Sequence, residues 1–232
     1  MYPPIKRFFD FLFASAALLV LSPLLIPIVI GLKLTGEGYV FYLQERVGYR
    51  NRIFNIYKFA TMLKDSPNMA GGIITTEKDP RITPMGGFLR KSKINELPQL
   101  LNVLFGTMSF VGPRPVMQKS FDQYPEHVQD VIYNVKPGIT GIGSIVFRDE
   151  ENLITRVRDR GEDTWSYYRN VIYPHKGQIE KWYQANQSFL VHFKILFLTA
   201  WVIIRPDSDL VYRVFPAVPV FSESEYDPGD WV

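Results

Sequence analysis

Residues 89–115 read LRKSKINELPQLLNVLFGTMSFVGPRP, and they say most about the fold and the chemistry of this chain. A basic run from Arg90 to Lys93 leads directly into Asn95 and Glu96. Cations, an acid and the start of a predicted helix at this density suit a substrate that carries phosphates. The amino-terminus of a helix offers unpaired N–H groups and a partial positive charge to an anion. The stretch therefore predicts a phosphate-handling site at the beginning of a helix.

An apolar pattern follows the acid and has the spacing of one helix face, at Leu97, Leu100, Leu101 and Leu104. Gly106 ends it, so we expect a helix over about residues 96–105. Further on, Pro113 and Pro115 fix the backbone on either side of Arg114. The planar guanidinium fork matches phosphate oxygens, which makes Arg114 a candidate phosphate contact.

The bulk properties indicate a folded domain with a membrane element. The 232 residues are 47% apolar and 21% charged, and such a composition does not favour disorder. The net charge of +3 is too small to argue for nucleic acid, and no nucleic-acid-binding motif is present. Disulfides and thiolate metal sites are excluded because the chain contains no cysteine.

Residues 11–32 carry no charge and would reach about 33 Å as a straight helix, enough to cross a bilayer core of about 30 Å. Ser22 and Pro23 interrupt the middle of this segment, because proline removes a backbone donor and kinks a helix. The Ser22 hydroxyl can bond the carbonyl that is freed, which makes such a membrane break tolerable in lipid. We expect a bent, re-entrant helix, with an ordinary single span as the alternative.

Both flanks of the apolar segment are basic, which is easier to satisfy if both ends face the cytoplasm. Lys6 and Arg7 precede the segment, and we interpret them as anchors to anionic lipid headgroups. A second apolar stretch covers residues 189–204, where His192 and Lys194 interrupt it. We expect an interfacial amphipathic helix there, and a buried helix stays open.

The predicted fold class is α+β and helix-dominated: a re-entrant membrane helix (1–34), a compact cytosolic domain with a small sheet (35–214) and an extended tail (215–232). The other predicted elements are strands over 39–43 and 52–58, a turn at 48–51, a loop over 63–87, a helix over 118–133 and partly helical structure over 149–185.

The chain resembles the bacterial sugar transferase family, the monotopic phosphoglycosyl transferases that start glycan assembly on a polyprenyl phosphate. Besides the opening stretch, the resemblance includes KRFFDFLFASAALLVLSPLL at 6–25, QERVGYRNRIFNIYKFATM at 44–62, VKPGITGIGS at 135–144 and YQANQSFLVHFKILFLTAW at 183–201. It implies a re-entrant helix, Mg²⁺, a nucleotide diphosphate sugar such as a UDP-sugar, and the cytoplasmic face of the bacterial inner membrane. A homo-oligomer stays open.

The chain departs from the family's Asp-Glu dyad, because it reads Asn95-Glu96. The resemblance makes Glu96 and Asn95 the catalytic positions, but an amide is a poor nucleophile toward phosphorus. Asn95 could instead be the N-cap of the helix, for which asparagine is well suited. Glu96 could attack in its place, or the lipid phosphate could attack directly with Glu96 and the metal assisting.

The resemblance also gives roles to the cations around this dyad. Lys58, Arg90 and Arg114 are candidate phosphate and nucleotide contacts, with Pro113 and Pro115 beside Arg114. These cations would neutralise charge on phosphoryl oxygens. Candidate Mg²⁺ ligands are Glu96 and Asp149, the latter being the first residue of an acidic run that a solvated charge cluster also explains.

The function implied is transfer of a sugar-1-phosphate from the nucleotide diphosphate sugar to polyprenyl phosphate. This step would initiate synthesis of an exopolysaccharide, a lipopolysaccharide or another glycoconjugate. The alternative is a catalytically impaired, membrane-docked scaffold of the same fold, which binds a partner transferase or the lipid carrier. An ordinary single-span protein with a soluble binding domain is a third reading.

Overall fold

The computed structural model describes residues 4–66, 68–69, 79–205 and 208–221. The chain divides into two compact units. One unit, called the α1 unit after the helix at Pro4–Leu34, contains the described residues of 7–45 and 55–106. The other, called the α9 unit after the helix at Tyr173–Ala185, contains the described residues of 1–6, 46–54 and 107–232. The helices and strands are α1 (Pro4–Leu34), β1 (Phe41–Val47), β2 (Ile53–Phe59), α2 (Gly86–Lys91), α3 (Gln99–Phe105), β3 (Ser109–Val111), α4 (Gln118–Phe121), α5 (Glu126–Ile132), β4 (Gly138–Thr140), α6 (Ile142–Val146), α7 (Glu150–Asp159), α8 (Thr164–Tyr167), α9 (Tyr173–Ala185), α10 (Phe189–Ile204) and α11 (Leu210–Val214).

Helix α1 is long and apolar enough to cross a membrane, judged by length and composition. Pro23 and Pro27 lie inside it. Pro23 has no N–H to donate to the carbonyl of Leu19, and the Ser22 hydroxyl donates to that carbonyl at 2.7 Å instead. The predicted hydrogen bond of Ser22 is therefore present, while its role in a membrane break and the bend itself stay predictions.

The carboxyl-terminal half of α1 packs against its own unit. Ile28 and Leu32 form a buried cluster with Phe59 of β2 and Leu89 of α2, and Ile94 packs against this cluster. The middle of the helix is different, because Leu19 and Val20 are among the most exposed apolar side chains. The unit thus buries side chains near the end of α1, whereas Leu19 and Val20 in the middle are exposed.

The predicted strands and the turn between them are confirmed, with β1 extending four residues further than expected. Strands β1 and β2 form a two-stranded sheet. A 3₁₀ turn over Tyr49–Asn51 joins them, and both Arg50 and Asn51 have positive φ values of 56°. The boundary between the two units falls inside this hairpin.

In the α9 unit, the parallel strands β3 and β4 bring the segment before Pro113 next to the VKPGITGIGS segment at 135–144. The N–H of Gly112 donates to the carbonyl of Thr140 at 3.0 Å, and the N–H of Gly138 donates to the carbonyl of Pro113 at 2.9 Å. A Cβ on Gly138 would lie 2.2 Å from the nitrogen of Gly112, so only glycine allows this backbone approach.

The main core of the α9 unit lies between α6, α9 and α10. Ile195, Leu198 and Val202 form one buried face of α10 and join Ile179 of α9 and Ile142 of α6. Phe215 and Val218, which follow α11, complete this core, and residues 216–217 form a turn. Residues 222–232 of the predicted tail lie outside the described residues.

Three predicted boundaries are wrong, and each lies at or next to a proline or a glycine. The helix expected over 118–133 is broken into α4 and α5, because Pro125 cannot continue a helix from α4. The helix expected from residue 96 begins at Gln99, with Pro98 at the position before its first residue. Gly86 was expected in a loop but begins α2, where a Cβ would lie 2.1 Å from a carbonyl oxygen.

The rest of that predicted loop is described only in part, since Pro67 and residues 70–78 lie outside the described residues. The expectation of partly helical structure over 149–185 is confirmed by α7, α8 and α9, with a π turn at Tyr168–Ile172 before α9.

The predicted lipid-anchoring role of Lys6 and Arg7 is wrong, because both side chains bond to protein. Lys6 donates to the hydroxyl of Ser109 and, at 3.0 Å, to the carbonyl of Val111. Arg7 donates to the carbonyls of Val103 and Leu104 at 2.5 and 2.6 Å. These two carbonyls belong to the last turn of α3, where the carbonyl ends of the peptide dipoles attract a cation.

Candidate functional site

A short turn carries the predicted catalytic pair. Residues Ile94–Glu96 form a 3₁₀ turn that begins after Lys93, whose φ of 59° is left-handed. The N–H of Glu96 donates to the carbonyl of Lys93 at 3.1 Å, and the N–H of Leu97 donates to the carbonyl of Ile94 at 3.0 Å. The acid therefore stands on a turn that precedes α3 rather than in the first turn of a helix.

Lys58 and Glu96 are brought together by this arrangement. The Lys58 ammonium lies 3.4 Å from Oε1 of Glu96, and the two side chains are 18% and 30% exposed. The sequence separation of 38 residues means that β2 and the turn have to be placed side by side for this contact to form. A long, partly solvated pair of this kind leaves the carboxylate accessible to a ligand.

Asn95 is not an N-cap, so that alternative is wrong. The residue lies inside the 3₁₀ turn, and Pro98 occupies the position before α3. The side-chain oxygen of Asn95 is buried and has no hydrogen-bond partner among the described residues. Such an atom is costly to bury alone, which suits a site that is completed by a ligand.

The oxygen donors of the turn also fit the predicted metal. An amide oxygen and a carboxylate are the hard ligands that Mg²⁺ prefers, usually in small numbers and together with substrate phosphates. Within the described ranges, no group of three or more His, Asp or Glu side chains forms a ready-made metal site. Metal binding by the turn stays a prediction.

Arg90 lies near the end of α2, where its guanidinium approaches the sulfur of Met62 at 3.6 Å. Its neighbours include a buried ion pair that the sequence analysis missed, between Asp79 and Arg81. Hydrogen bonds from Arg81 lower the pKa of the Asp79 carboxyl to about 2, and the charge of Arg90 adds to that effect. The only sequence signal was an acid and a base two positions apart in a loop.

Arg114 belongs to the α9 unit, in an exposed strap between two buried prolines, Pro113 and Pro115. The Tyr133 hydroxyl pins the strap, because it donates to the carbonyl of Arg114 at 2.8 Å and accepts from the N–H of Val116 at 3.2 Å. The strap therefore presents a guanidinium on a fixed backbone, as expected, while its substrate contact stays a prediction.

Asp149 precedes α7 in the α9 unit, and its carboxylate accepts from the side chain of Asn152 at 2.6 Å. One carboxylate oxygen of Asp149 is therefore already hydrogen-bonded to protein. Its predicted part in metal binding stays a prediction.

Comparison with known proteins places the chain in a family. The family model described as "Bacterial sugar transferase" matches residues 1–206. The undecaprenyl-phosphate galactose phosphotransferase of Salmonella typhimurium is 33% identical over 218 residues, which are 88% of this chain and 41% of that protein. The exopolysaccharide production protein ExoY of Rhizobium meliloti is 36% identical over 184 residues, 72% of this chain and 80% of that protein.

A third relative is the UDP-glucose:undecaprenyl-phosphate glucose-1-phosphate transferase of Escherichia coli K12. It is 35% identical over 193 residues, which are 82% of this chain and 40% of that protein. The chain therefore spans about two fifths of the Salmonella and Escherichia relatives and most of ExoY.

Proposed function

Because the chain belongs to the bacterial sugar transferase family, we propose that it transfers a sugar-1-phosphate from a UDP-sugar to polyprenyl phosphate. The observation that carries this proposal is the turn at 94–96, where a partly exposed Glu96 contacts Lys58 and follows Asn95, whose buried side-chain oxygen has no hydrogen-bond partner in the described part of the chain. Relatives named as undecaprenyl-phosphate sugar phosphotransferases support the choice of lipid and donor. The product would be the first lipid-linked intermediate of a polysaccharide or glycoconjugate.

In this reaction the bond between the β-phosphorus and the bridging oxygen of the donor breaks, and UMP leaves. A new bond forms between that phosphorus and an acceptor oxygen. In the turn, Glu96 is the side chain able to attack phosphorus or to assist the lipid phosphate, because the amide of Asn95 is neutral and weakly nucleophilic. Lys58 and Arg90 would orient and neutralise donor phosphates.

We propose that Glu96 and the Oδ1 atom of Asn95 hold Mg²⁺. When bound, the ion would supply charge neutralisation at the diphosphate oxygens, which is the main requirement of phosphoryl transfer. On this reading, asparagine at position 95 keeps a metal ligand and gives up a nucleophile. The scaffold alternative would instead treat the same substitution as loss of the enzyme's function.

The contacts of α1 support a re-entrant topology, which we propose together with a location at the cytoplasmic face of the membrane. Near its start, Arg7 bonds the carbonyls of Val103 and Leu104, and near its end Leu32 packs with Phe59, all within the α1 unit. A straight single span would carry these two ends to opposite faces of the bilayer. The exposed middle of the helix would then enter the lipid, with its Ser22 hydroxyl bonded to the carbonyl freed by proline.

The topology is tested with single cysteines, because the native chain has none. Ile5→Cys and Leu34→Cys place the label at exposed positions of the two helix ends. In intact cells, a membrane-impermeant maleimide should label neither variant, and both should react after lysis. Labelling of one end alone in intact cells would refute the re-entrant helix.

The enzyme and scaffold readings are separated by UMP release from UDP-glucose, UDP-galactose and UDP-N-acetylgalactosamine. The purified chain with Mg²⁺ and undecaprenyl phosphate should release UMP from at least one donor, and Glu96→Gln should reduce the rate by about a thousandfold. A native chain that releases no UMP, combined with an Asn95→Asp variant that does, would favour the scaffold.

A further inference from the structure

One buried polar side chain joins the two elements that carry Lys58 and Glu96. Asn102 of α3 is 1% exposed, and its amide faces the backbone of β2. Its Oδ1 accepts the N–H of Tyr57 at 2.9 Å, and its Nδ2 donates to the carbonyl of Asn55 at 2.7 Å. The side chain therefore bonds β2 as a neighbouring strand would, with one donor and one acceptor in register.

Asn102 bonds the edge of β2 that no other strand of the described residues pairs with. Strand β2 pairs with β1 in a two-stranded sheet, so its second edge offers backbone groups that need partners. Asn102 satisfies two of them from a helix. A buried amide is costly unless it is bonded, and here both of its functional ends are used.

The hydrogen bonds of Asn102 lie close in sequence to both Lys58 and Glu96. Lys58 directly follows Tyr57, whose N–H is held, and Glu96 lies on the turn that leads into the helix bearing Asn102. The Lys58–Glu96 contact is 3.4 Å long and partly solvated, and such pairs contribute too little to hold two elements together. Asn102 supplies two buried hydrogen bonds between β2 and α3 in addition to that contact.

We infer that Asn102 is a positioning residue, which sets the distance between Lys58 and Glu96 by fixing β2 to α3. In catalytic terms this inference rests on the proposed function, because it assigns Asn102 to the same site. Asn102 does not touch the reacting atoms. It acts through the placement of two side chains that do, and small displacements of such groups are costly in rate.

A zero-length cross-link measures that placement without any turnover. A water-soluble carbodiimide activates the Glu96 carboxylate, and the Lys58 amine displaces the urea to form an amide with net loss of one water. Peptide mass spectrometry quantifies the product. In the native chain the cross-link should form, and Asn102→Ala should lower its yield by about tenfold because the two elements lose their register.

The matched control is Leu100→Ala, which truncates another buried side chain of α3 that carries no side-chain hydrogen bond. Its cross-link yield should stay at the native level, measured at equal folded fraction. With an active chain, Asn102→Ala should lower kcat by about a hundredfold while the KM for the donor changes little, and Leu100→Ala should lower neither comparably.

Two further measurements keep the test decisive if Asn102→Ala does not fold. Asn102→Ser avoids a buried charge and leaves a hydroxyl for one of the two backbone groups, so its yield should lie between alanine and native. Hydrogen exchange on the native chain should show a protected Tyr57 amide.

A native chain without the cross-link, a freely exchanging Tyr57 amide, or an Asn102→Ala variant with native yield would each overturn the positioning role. Loss of the cross-link in Asn102→Ala together with a native chain that releases no UMP would leave the positioning role standing and would defeat the proposed function alone.

Discussion

Two acidic side chains of the α1 unit each lie beside a cation, but one ion pair is buried and the other is partly exposed. Both carboxylate oxygens of Asp79 accept hydrogen bonds from the Arg81 guanidinium, at 2.8 and 2.6 Å. The Asp79 and Arg81 side chains are 6% and 2% exposed. The Lys58 ammonium lies 3.4 Å from one carboxylate oxygen of Glu96, whose side chain is 30% exposed. The first pair is saturated and serves the fold, whereas the second leaves a carboxylate within reach of a ligand.

The difference follows from the side chains and from their separation. A guanidinium is a planar fork that matches a carboxylate, whereas an ammonium is a point charge on a flexible stem. Arg81 also bonds Asp79 through its own N–H at 3.0 Å, which two neighbouring positions in a loop can achieve locally. The Lys58–Glu96 contact depends on two separate elements, so it can yield when a substrate arrives.

The largest expected effect on stability comes from opening the saturated pair. Arg81→Ala leaves the Asp79 carboxylate buried without its fork, and the Tm should fall by about 10 °C. The matched control is Arg213→Ala, which removes an exposed pair with Asp209 of 3.4 Å and should change the Tm little. Equal Tm losses in the two variants, measured by thermal unfolding in detergent, would contradict the distinction.

The same pair has a defined pH dependence. The hydrogen bonds from Arg81 lower the pKa of Asp79 from 3.8 to about 2. Its contribution is therefore present above pH 3.8 and is lost as the pH falls through 2. The Arg81→Ala variant should lose less additional stability over that range than the native chain does.

The next-largest expected effect on stability concerns a third acid, Glu180 of α9, which is buried. Burial raises its pKa from 4.5 to about 8, and Lys176 on the same helix opposes that rise. Burial raises the phenol pKa values of Tyr124 and Tyr133, and the charge of Glu180 adds to both rises. Glu180 thus titrates close to physiological pH, unlike Asp79.

Because the folded pKa is raised, the stability contributed by Glu180 is fully present below pH 4.5 and is lost as the pH rises through 8. Between pH 5 and 8 the native chain should lose about 3 kcal/mol relative to Glu180→Gln, which does not titrate. The exposed Glu126→Gln serves as the matched control. Parallel stability curves for native chain and Glu180→Gln would show that the carboxyl titrates normally.

The smallest expected effect on stability belongs to the open pair. Lys58→Gln removes a partly solvated contact that contributes about 0–1 kcal/mol, so the Tm should move by less than about 4 °C. UMP release should nevertheless fall strongly, because the variant removes a phosphate-directed charge. A Tm loss as large as that of Arg81→Ala would mean that Lys58 serves the fold and not the chemistry.

The sequence predicted those parts of the fold that local rules govern. Gly106 ends α3 with a left-handed φ of 84°, and the Ser22 hydroxyl bonds the carbonyl freed by Pro23, both as expected. The hairpin strands were recognised from their aromatic and branched residues. Boundaries failed next to prolines, with Pro98 just before α3 and Pro125 just before α5.

The parts that could not be predicted depend on contacts between distant segments. Arg7 looked like a headgroup anchor because nothing local shows that the end of α3 lies beside it. Asn102 lies within an apolar helix pattern, and its bonds to β2 appear only when residues 55 and 57 are folded against it. The sequence predicts both Lys58 and Glu96 as site residues, but their contact is visible only in the folded chain.

The central claim is that the carboxylate at position 96 carries phosphoryl-transfer chemistry in this chain. The most direct measurement uses UDP-sugars labelled in the β-phosphate, with the purified chain in liposomes that contain undecaprenyl phosphate. We expect the label to enter the lipid fraction when Mg²⁺ is supplied and to stay with the donor for Glu96→Gln. Label transfer by Glu96→Gln at the native rate would contradict the account.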